Sequence, residues 1–399
     1  MKINNKSILK IITFILLLLS LFTLTQAYYS AYIHIALFLL CFLSCGKEYN
    51  LTLPFVASSI MICFVFVIMA IFKCNGATMD HVGFYLHYIT WPVLFICVAR
   101  NYSTTEVKRL LYFIIAICII GDILSLIQLS INPEISRLLA GTHLEGEKIA
   151  YYKMGVGGYG YVFAMAFFTF GIVRWLITSK SKLEKVYLSI FLVVNSMFIL
   201  YASYTTAIVI SIILAGLALV SDMKRGYKSM VIIIAILLIL VLGRPLLELC
   251  YNIANDLELE WVARRFGQLI YAQENDDMSS LRRFGLYKAS WDTFIANPLF
   301  GADKYGGHSQ VLDSFAQYGI FAILLVIFIR NCKKLCDKLL IKSDLSIYTL
   351  IFFIFACIDT CSVMQLPVVV FFAVPLISYY LKMEGNNHES RNYDISLGS

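Results

Sequence analysis

The sequence predicts an all-α fold, that of a polytopic integral membrane protein with about twelve transmembrane helices, and three observations support this fold class. First, 60% of the 399 residues are hydrophobic and only 14% are charged, whereas about 25% of the residues in a soluble domain are charged. Second, the apolar residues form runs, most of which are long enough to cross a bilayer as an α-helix. Third, the composition is too uniform for separate soluble domains. We therefore treat residues 1–399 as a single membrane domain.

The apolar runs place the helices along the chain. The first run follows Lys2, Lys6 and Lys10 and resembles a signal sequence, but a second run begins almost at once, which favours an uncleaved first span. The runs at 186–202 and 204–221 are separated only by the segment Tyr201–Thr206. The predicted spans are 11–27, 29–46, 52–72, 83–99, 110–131, 157–173, 186–202, 204–221, 229–243, 310–329, 346–363 and 365–381.

The positions of Lys and Arg predict the orientation. If the N-terminus is cytoplasmic, 21 of the 32 Lys and Arg residues fall in cytoplasmic loops and tails, and 10 of the other 11 fall in two long outer loops. Cytoplasmic loops of membrane proteins are enriched in these residues. We therefore expect both termini in the cytoplasm, and we attribute most of the net charge of +7 to this bias rather than to an anionic partner such as nucleic acid.

The two outer loops are longer than a turn between helices requires. They cover about residues 132–156 and 244–309, and loops of this size usually carry function. The first loop mixes aromatic and charged residues, a composition that suits sugar binding and suits a solvated loop equally well. Its residues of interest are Arg137, His143, Glu145, Glu147, Lys148, Tyr151, Tyr152 and Lys153.

The second outer loop is predicted to contain two amphipathic helices. The first covers Asp256–Gln273, where apolar residues recur at helical spacing and Arg264 and Arg265 lie mid-helix. The second begins after Ser279 or Ser280 and ends at Asn297, before a proline. Both are expected at the membrane interface, with one side on lipid or on the helix bundle and the other in water.

The end of this loop combines groups suited to an anionic, lipid-linked substrate. Arg283 can bind phosphate oxygens through its planar fork. Gly306 and Gly307 permit a tight turn or a close approach to a ligand, and Ser309 begins a helix whose first N–H groups favour an anion. Between them, His308 can accept a proton from a hydroxyl near neutral pH. The alternative is that the arginines bind lipid head groups and that His308 caps a helix or packs.

Four short segments carry a resemblance to a known family. These are Arg283–Trp291 (RFGLYKASW), Asn297–Gly301 (NPLFG), His308, and Gln317–Ile320 (QYGI). Together with the order of spans and loops, they resemble the signature of the O-antigen polymerase (Wzy) and ligase (WaaL) superfamily. The resemblance implies a metal-independent glycosyltransferase of the bacterial inner membrane. It also implies that Arg283 engages the diphosphate of an undecaprenyl-diphosphate-linked oligosaccharide and that His308 acts as general base.

Two positions depart from the family pattern. Ligases usually carry Asn after the histidine, whereas this chain has Ser309, which favours a polymerase. Many members carry Ser-Arg at the outer end of a middle helix, whereas this chain reads Ser203-Tyr-Thr-Thr206. A second phosphate-binding cation must then come from another position. The candidate substrate-binding residues are Arg137, Lys148, Arg265 and Arg282.

Three functions therefore remain open. The first is a polymerase that transfers a growing glycan to a lipid-linked repeat unit, with a chain-length regulator as a further partner. The second is a ligase that transfers the glycan to lipid A-core. The third is a flippase or transporter of lipid-linked sugars, which would use polar residues inside the spans. Those residues are His34, His87, Asp122, Asn195 and Asp359, and we expect most of them to form hydrogen bonds between helices.

No metal or other cofactor is predicted. Cys332 and Cys336 lie four residues apart in a basic loop. Neither a histidine nor a further cysteine accompanies them at the spacing that a zinc site requires.

Overall fold

The computed structural model is all-helical over the residues it describes, which are 5–28, 31–44, 56–71 with gaps, 78–141, 145–221, 245–270 without 246 and 259, 278–340 without 303, 344–361 and 364–397. The helices are α1 (Asn5–Leu21), α2 (Ala31–Ser44), α3 (Thr78–Asn101), α4 (Thr104–Ile131), α5 (Ile135–Gly141), α6 (Glu145–Lys153), α7 (Tyr159–Thr178), α8 (Lys182–Ala202), α9 (Thr205–Leu219), α10 (Glu260–Ile270), α11 (Met278–Ala296), α12 (Gln310–Tyr318), α13 (Ile323–Asp337), α14 (Asp344–Ile358), α15 (Gln365–Val368) and α16 (Val374–Leu397).

Five of the described helical segments are long and apolar enough to cross a membrane. They are Thr104–Ile131, Tyr159–Thr178, Lys182–Ala202, Gln310–Asp337 and Gln365–Gly385. The last two contain short irregular turns, a 3₁₀ turn at Gly319–Ala322 and a π-helical turn at Val369–Ala373. The architecture is that of a helical membrane protein. Of the other predicted spans, 229–243 lies outside the described residues and 52–72 is described only in part.

The central helix of the bundle is α7. Within its apolar stretch 83% of the residues are buried, because the helix is apolar on all sides and can pack against neighbours on all of them. Its aromatic residues face α14, where the rings of Phe163 and Phe355 lie 4.7 Å apart. The α8 helix is the opposite case, since only 33% of its apolar stretch is buried. Its outer side exposes apolar residues to the surroundings, as a lipid-facing helix does.

A sharp turn separates α8 from α9, as the sequence predicted. Ser203 adopts a left-handed conformation with φ of 56° at the end of α8, and Thr205 begins α9. Two separate helices therefore replace one long helix at this point. The turn also leaves the backbone carbonyl of Ser203 free of the helix, where it accepts a hydrogen bond from Arg137 (Nη2 to O, 2.8 Å).

One end of the bundle carries a cluster of paired charges. Glu106 closes a capping box with Ser103 at the start of α4 and also pairs with Lys6 and Lys10 at 2.8 and 2.6 Å. Nearby, the buried carboxylate of Glu184 pairs with Lys108 at 3.1 Å. The sequence analysis expects Lys6 and Lys10, in the N-terminal tail, and Lys108, in a loop, to lie in the cytoplasm. In the structure they lie at the same end of the bundle.

The two segments predicted as outer loops contain several helices. The first outer loop contains the short helices α5 and α6, which the sequence analysis did not predict. In the second, the predicted helix Asp256–Gln273 is wrong at its start. Residues 247–256 are helical, a turn follows in which Glu258 has φ of 55°, and α10 begins only at Glu260.

The α11 helix has one apolar exposed face and one packed face. Phe284, Trp291 and Ile295 are half or more exposed. On the other face, Phe294 packs edge-on against Phe315 of α12, with ring centroids 5.2 Å apart. The helix ends at Ala296, before Asn297-Pro298, as predicted. The helix also exposes the charged residues Arg283, Lys288 and Asp292. A helix that exposes both apolar and charged residues is typical of a membrane surface.

Candidate functional site

A cavity of about 530 Å³ lies at the end of the bundle away from the charge cluster. Its size is in the range of small-molecule binding sites. The residues around it come from segments that are far apart in the sequence, namely the turn after α1, the first outer loop, the start of α7, the loop before α12, and the connection between α14 and α15. They are Gln26, Leu139, Tyr152, Gly158, Tyr159, Gly160, Tyr161, Gly307, His308, Asp359, Thr360, Met364 and Gln365.

His308 lines this cavity from the loop that precedes α12. Gly307 before it adopts φ of 79°, a conformation that favours glycine. Ser309 after it is the N-cap of α12, and its hydroxyl accepts a hydrogen bond from the N–H of Leu312 (3.2 Å). The predicted helix start at Ser309 is therefore confirmed. His308 is held between a left-handed glycine and a capped helix end, which fixes the backbone on both sides of the imidazole.

The carboxylate of Asp313 holds the loop that carries His308 by hydrogen bonds. Asp313 accepts hydrogen bonds from the N–H of Gly307 (3.2 Å) and the N–H of Ser309 (3.1 Å), the two residues that flank His308. It also accepts one from the buried hydroxyl of Ser290 on α11 (2.6 Å). Ser290 in turn accepts from the N–H of Gly306 (2.8 Å). One carboxylate thus joins α11, the glycine loop and α12.

Close backbone contacts explain the glycines of this region. A Cβ atom on Gly306 would lie 2.1 Å from the carbonyl oxygen of Leu286, so that any side chain would separate the loop from α11. Gly301 has φ of 67°, and a Cβ there would lie 2.4 Å from the backbone of Gln317. The carbonyl of Pro298 accepts a hydrogen bond from the N–H of Ile320 just after α12 (2.8 Å), and the N–H of Ala302 donates to the carbonyl of Ala316 in α12 (2.7 Å).

The end of α14 meets the same loop. The hydroxyl of Ser309 donates to the carbonyl of Cys357 (2.8 Å), and the N–H of Gln310 donates to the carbonyl of Asp359 (3.2 Å). The hydroxyl of Tyr287 on α11 donates to the carbonyl of Ile358. These contacts bring Asp359 to the cavity that His308 lines, although the two are 51 positions apart in the chain.

Arg283 lies one helical turn before Tyr287 on α11 and is exposed. Burial raises the pKa of Tyr287, the charge of Arg283 lowers it, and the charges of Asp359 and Asp313 raise it. Tyr287 is therefore within electrostatic range of the arginine and of both carboxylates. Among the described residues, Arg283 forms no ion pair with a carboxylate.

Arg137 is the second cation of this region. Its guanidinium lies over the ring of Tyr204 at 5.2 Å and donates to Ser203, so its orientation is fixed. Burial lowers the pKa of Arg137, as does the positive charge of Arg283, whereas Tyr204 and Glu134 raise it. Its Nε atom is buried and has no hydrogen-bond partner within the described part of the chain. A guanidinium with an unused N–H group can bind an anionic ligand.

Of the predicted site residues, His308 lines the cavity, Arg283 lies on α11 one turn before Tyr287, and Arg137 lies on α5 against Tyr204. The side chains of the other candidates, Lys148, Arg265 and Arg282, lie outside the described residues. So do the side chains of His143 and His34.

Sequence analysis missed the roles of three residues. The sequence analysis assigns no role to Asp313, includes Tyr287 only within the Arg283–Trp291 segment, and counts Asp359 among the polar residues expected to form hydrogen bonds between helices. The sequence did contain one indication of the role of Asp313. It is an acidic residue four positions after the N-cap Ser309, which itself follows Gly306 and Gly307. The interhelical role expected for Asn195 is confirmed, since its amide donates to Met165 and Thr169 of α7.

The chain was compared with protein-family models, with curated proteins and with solved structures, and no match was found in any of the three. Its chemistry must therefore be argued from the residues around this cavity. Among the described residues, no group of three or more His, Cys, Asp or Glu side chains could hold a metal ion.

Replacing Asp313 with Ala should disorder the His308 loop. The change leaves the N–H groups of Gly307 and Ser309 and the hydroxyl of Ser290 without an acceptor, and each buried orphaned donor costs about 1–3 kcal/mol. We expect faster hydrogen exchange at 306–309 and a lower unfolding temperature. The exposed Asp292→Ala on α11 is the control and should change neither. Unchanged exchange in the Asp313 variant would contradict the anchoring role.

Replacing Gly306 with Ala should be strongly destabilising, because the new methyl group would collide with a backbone carbonyl that cannot move independently of α11. The matched control is Gly285→Ala on the same helix, where a Cβ meets nothing within 4 Å. Because alanine favours a helix over glycine by about 1 kcal/mol, the control should raise stability. Thermal unfolding of both variants in detergent measures the difference, and equal effects would refute the close contact.

Proposed function

We propose that this chain is a polymerase of O-antigen or a related surface polysaccharide. It transfers a growing glycan from undecaprenyl diphosphate to the non-reducing end of a lipid-linked repeat unit, at the periplasmic face of the bacterial inner membrane. The observation that carries the proposal is the position of His308, which lines a cavity and is flanked by two N–H groups that Asp313 holds. Among the described residues, Arg283 and Arg137 form no ion pair with a carboxylate. The family resemblance of the Arg283–Ile320 region supports the same assignment.

The proposed topology agrees with the position of the cavity. Its lining residues come from the turn after α1, the two predicted outer loops, the start of α7, and the connection between α14 and α15. The positive-inside bias predicts that these five segments lie at or next to the outer face. The paired lysines at the other end of the bundle belong to segments that the same bias assigns to the cytoplasm.

The chemistry needs a base, an acceptor hydroxyl and a stabilised leaving group. In the proposed reaction, His308 takes the proton of the acceptor hydroxyl, and the oxygen bonds to the anomeric carbon of the donor glycan. The bond between that carbon and the diphosphate oxygen breaks, and undecaprenyl diphosphate leaves with the bonding electron pair. Arg283 and Arg137 bind the diphosphate and stabilise the charge that develops on it, since guanidinium forks match phosphate oxygens.

The fixed loop geometry supports this role for His308. A general base acts only from a defined position within hydrogen-bond distance of the proton that it accepts. Asp313 holds the backbone on both sides of His308, and α14 holds Ser309. The base is therefore positioned before substrate binds, which reduces the entropic cost of the reaction.

Replacing His308 with Ala should abolish long chains, because loss of a general base costs about 10²–10⁴-fold in rate. The measurement is a lipopolysaccharide gel from cells that lack the chain and carry the variant, with insertion checked by immunoblot. Lys304→Ala, an exposed change in the same loop, is the control and should leave chain length unchanged.

The deletion strain in the same experiment separates the alternatives. Core with a single repeat unit supports a polymerase. Bare core would instead indicate a ligase or a flippase, and of these two only the ligase should depend on His308. Normal chains in the His308 variant would overturn the assignment.

Arg283→Lys should reduce the rate of polymerisation about 10–100-fold. The variant keeps the positive charge but loses the guanidinium's charge-assisted hydrogen bonds, which are worth about 1.5–3 kcal/mol. Arg137→Lys should act in the same direction, since only a planar guanidinium can both lie over Tyr204 and donate to Ser203. The control is Lys288→Ala, on the exposed side of α11. Polymer length distributions measure the effect, and full activity in both arginine variants would exclude these residues from diphosphate binding.

A further inference from the structure

Asp359 is a buried carboxylate at the cavity that has no cation as its partner. It lies in the connection between α14 and α15, lines the same cavity as His308, and is only 7% exposed. Among the described residues it forms no ion pair. A carboxylate removed from bulk water without a cation is unfavourable unless hydrogen-bond donors compensate its charge. The surroundings of Asp359 therefore call for a source of such donors.

The protein supplies few of these donors itself. Oδ1 of Asp359 accepts a hydrogen bond from the N–H of Thr360 (2.9 Å). The hydroxyl of Tyr159 lies beside the carboxylate, but it has one proton and donates it to the carbonyl of Thr360 (3.0 Å). Oδ2 accepts no hydrogen bond within the described part of the chain and is not closed to water, whereas both oxygens of Asp122 are unpaired and closed. A ligand in the cavity can therefore reach Oδ2 and donate to it.

The connection that carries Asp359 is held in place by other helices. The hydroxyls of Tyr88 on α3 and Tyr159 on α7 donate to backbone carbonyls of this connection. The N–H of Gln310 on α12 donates to the carbonyl of Asp359 itself (3.2 Å). The carboxylate therefore has a defined position at the cavity wall, and a fixed position is what selective binding requires.

The rest of the cavity wall carries no positive charge that could offset Asp359. Among the described residues, no Lys or Arg lines the cavity, and Asp359 is its only acidic lining residue. Arg283 and Arg137 are not part of the lining. A ligand with apolar faces and many hydroxyl groups, such as a sugar ring, suits a wall of tyrosines and neutral polar groups. Apart from His308, the other polar lining residues are Gln26, Tyr152, Tyr159, Tyr161, Thr360 and Gln365.

The chemistry of a carboxylate narrows the ligand further. An ionised carboxylate only accepts hydrogen bonds, and sugar hydroxyls can donate them. A uronic acid would bring a second carboxylate into the cavity, where the two like charges repel each other and no lining cation reduces the repulsion. The wall that contains Asp359 therefore favours a sugar without negative charge.

We propose that the cavity binds an uncharged sugar residue and that Asp359 determines this specificity. Its carboxylate accepts hydrogen bonds from the sugar hydroxyls and excludes sugars that carry a carboxylate. The inference rests on the proposed polymerase function for identifying the sugar as part of the glycan substrate, and it adds the charge class of that sugar. Asp359 acts here on binding and not on proton transfer. The diphosphate of the proposed reaction is bound outside this lining, by Arg283 and Arg137.

The test is direct binding to the full-length protein in nanodiscs of uncharged lipid, so that the bilayer itself does not repel an anionic probe. The probes are two pairs of methyl glycosides, glucose with glucuronic acid and galactose with galacturonic acid. Within a pair, only the group at C6 differs, a hydroxymethyl or a carboxylate. Binding is titrated by saturation-transfer NMR, with empty nanodiscs as the blank.

The wild-type protein should bind the neutral member of a pair about tenfold or more tightly than the acidic member, because a like charge within a few ångström weakens binding by at least that factor. Asp359→Asn keeps an oxygen for the N–H of Thr360 but removes the charge. It should therefore bind both members about equally, through tighter binding of the acidic probe. Equal binding in the wild type, no binding of either neutral probe, or an unchanged preference in Asp359→Asn overturns the proposal.

Two further variants separate the charge of Asp359 from other effects. Asp359→Glu keeps the charge and should keep the exclusion of the acidic probes, even if it binds the neutral probes less tightly. Asp292→Asn removes one carboxylate from the exposed surface of α11, outside the cavity lining, and should keep the full preference. If Asp359→Glu loses the exclusion, or if Asp292→Asn loses the preference, the effect does not come from the charge at the cavity and the specificity role is refuted.

Failure of this inference and failure of the proposed function give different results. The binding preference is measured without catalysis, whereas the polymerase assignment is judged by the chain lengths of His308→Ala cells. Long chains in those cells together with an Asp359-dependent preference would support the sugar site and refute the polymerase. Loss of long chains without any probe preference would support the polymerase and refute the role of Asp359.

Discussion

The candidate site depends on one carboxylate, that of Asp313. Its oxygens accept from the N–H groups on either side of His308 and from the hydroxyl of Ser290. Without this carboxylate, the backbone donors of a glycine loop would compete for water, and the loop would have many conformations. The three donors belong to α11, to the glycine loop and to the N-cap of α12. A single carboxylate therefore sets the relative positions of these three elements. The position of the histidine follows from it.

The second constraint is the close approach of backbones. Gly306 lies against the carbonyl of Leu286, and Gly301 lies against the end of α12, at distances that no larger residue permits. These contacts make the loop a packed element instead of a free connection. They also bring Arg283 and Tyr287 on α11 to the same side as the end of α14. The loop that places His308 at the cavity is therefore packed against both α11 and the end of α12.

The sequence predicted those features that depend on local pattern. Five of the twelve predicted apolar runs coincide with helical segments long and apolar enough to cross a membrane. Ser309 is a helix start, Asn297-Pro298 a helix end and Tyr201–Thr206 a break, as predicted. The predicted start of α10 is wrong, because Glu258 adopts a left-handed conformation that ends the preceding helix. Glutamate rarely adopts this conformation, so the residue type did not predict it. The helices α5 and α6 were missed because each is too short to show a clear period.

The tertiary contacts of the site could not be read from the sequence. Tyr287 binds a carbonyl 71 positions later, and Ser290 binds a carboxylate 23 positions later. No local period or motif specifies such a pairing, since it depends on how the helices pack. Among the four candidates for a second cation, the sequence ranked none above the others. The contacts of Arg137 with the ring of Tyr204 and the carbonyl of Ser203, which belong to another part of the chain, appear only in the structure.

Two of the three groups that Asp313 binds are backbone N–H groups, which every residue other than proline possesses. The hydrogen bonds of Asp313 to the loop therefore do not depend on most of the side chains in the loop. Exposed residues such as Lys304 and Tyr305 contribute nothing to them. Those positions can change over evolutionary time, or in a mutational library, without moving His308. A loop built in this way separates the residues that hold the histidine from the residues free to adapt to new ligands. Its glycines and Asp313 should tolerate the least substitution, and its exposed side chains should diverge first.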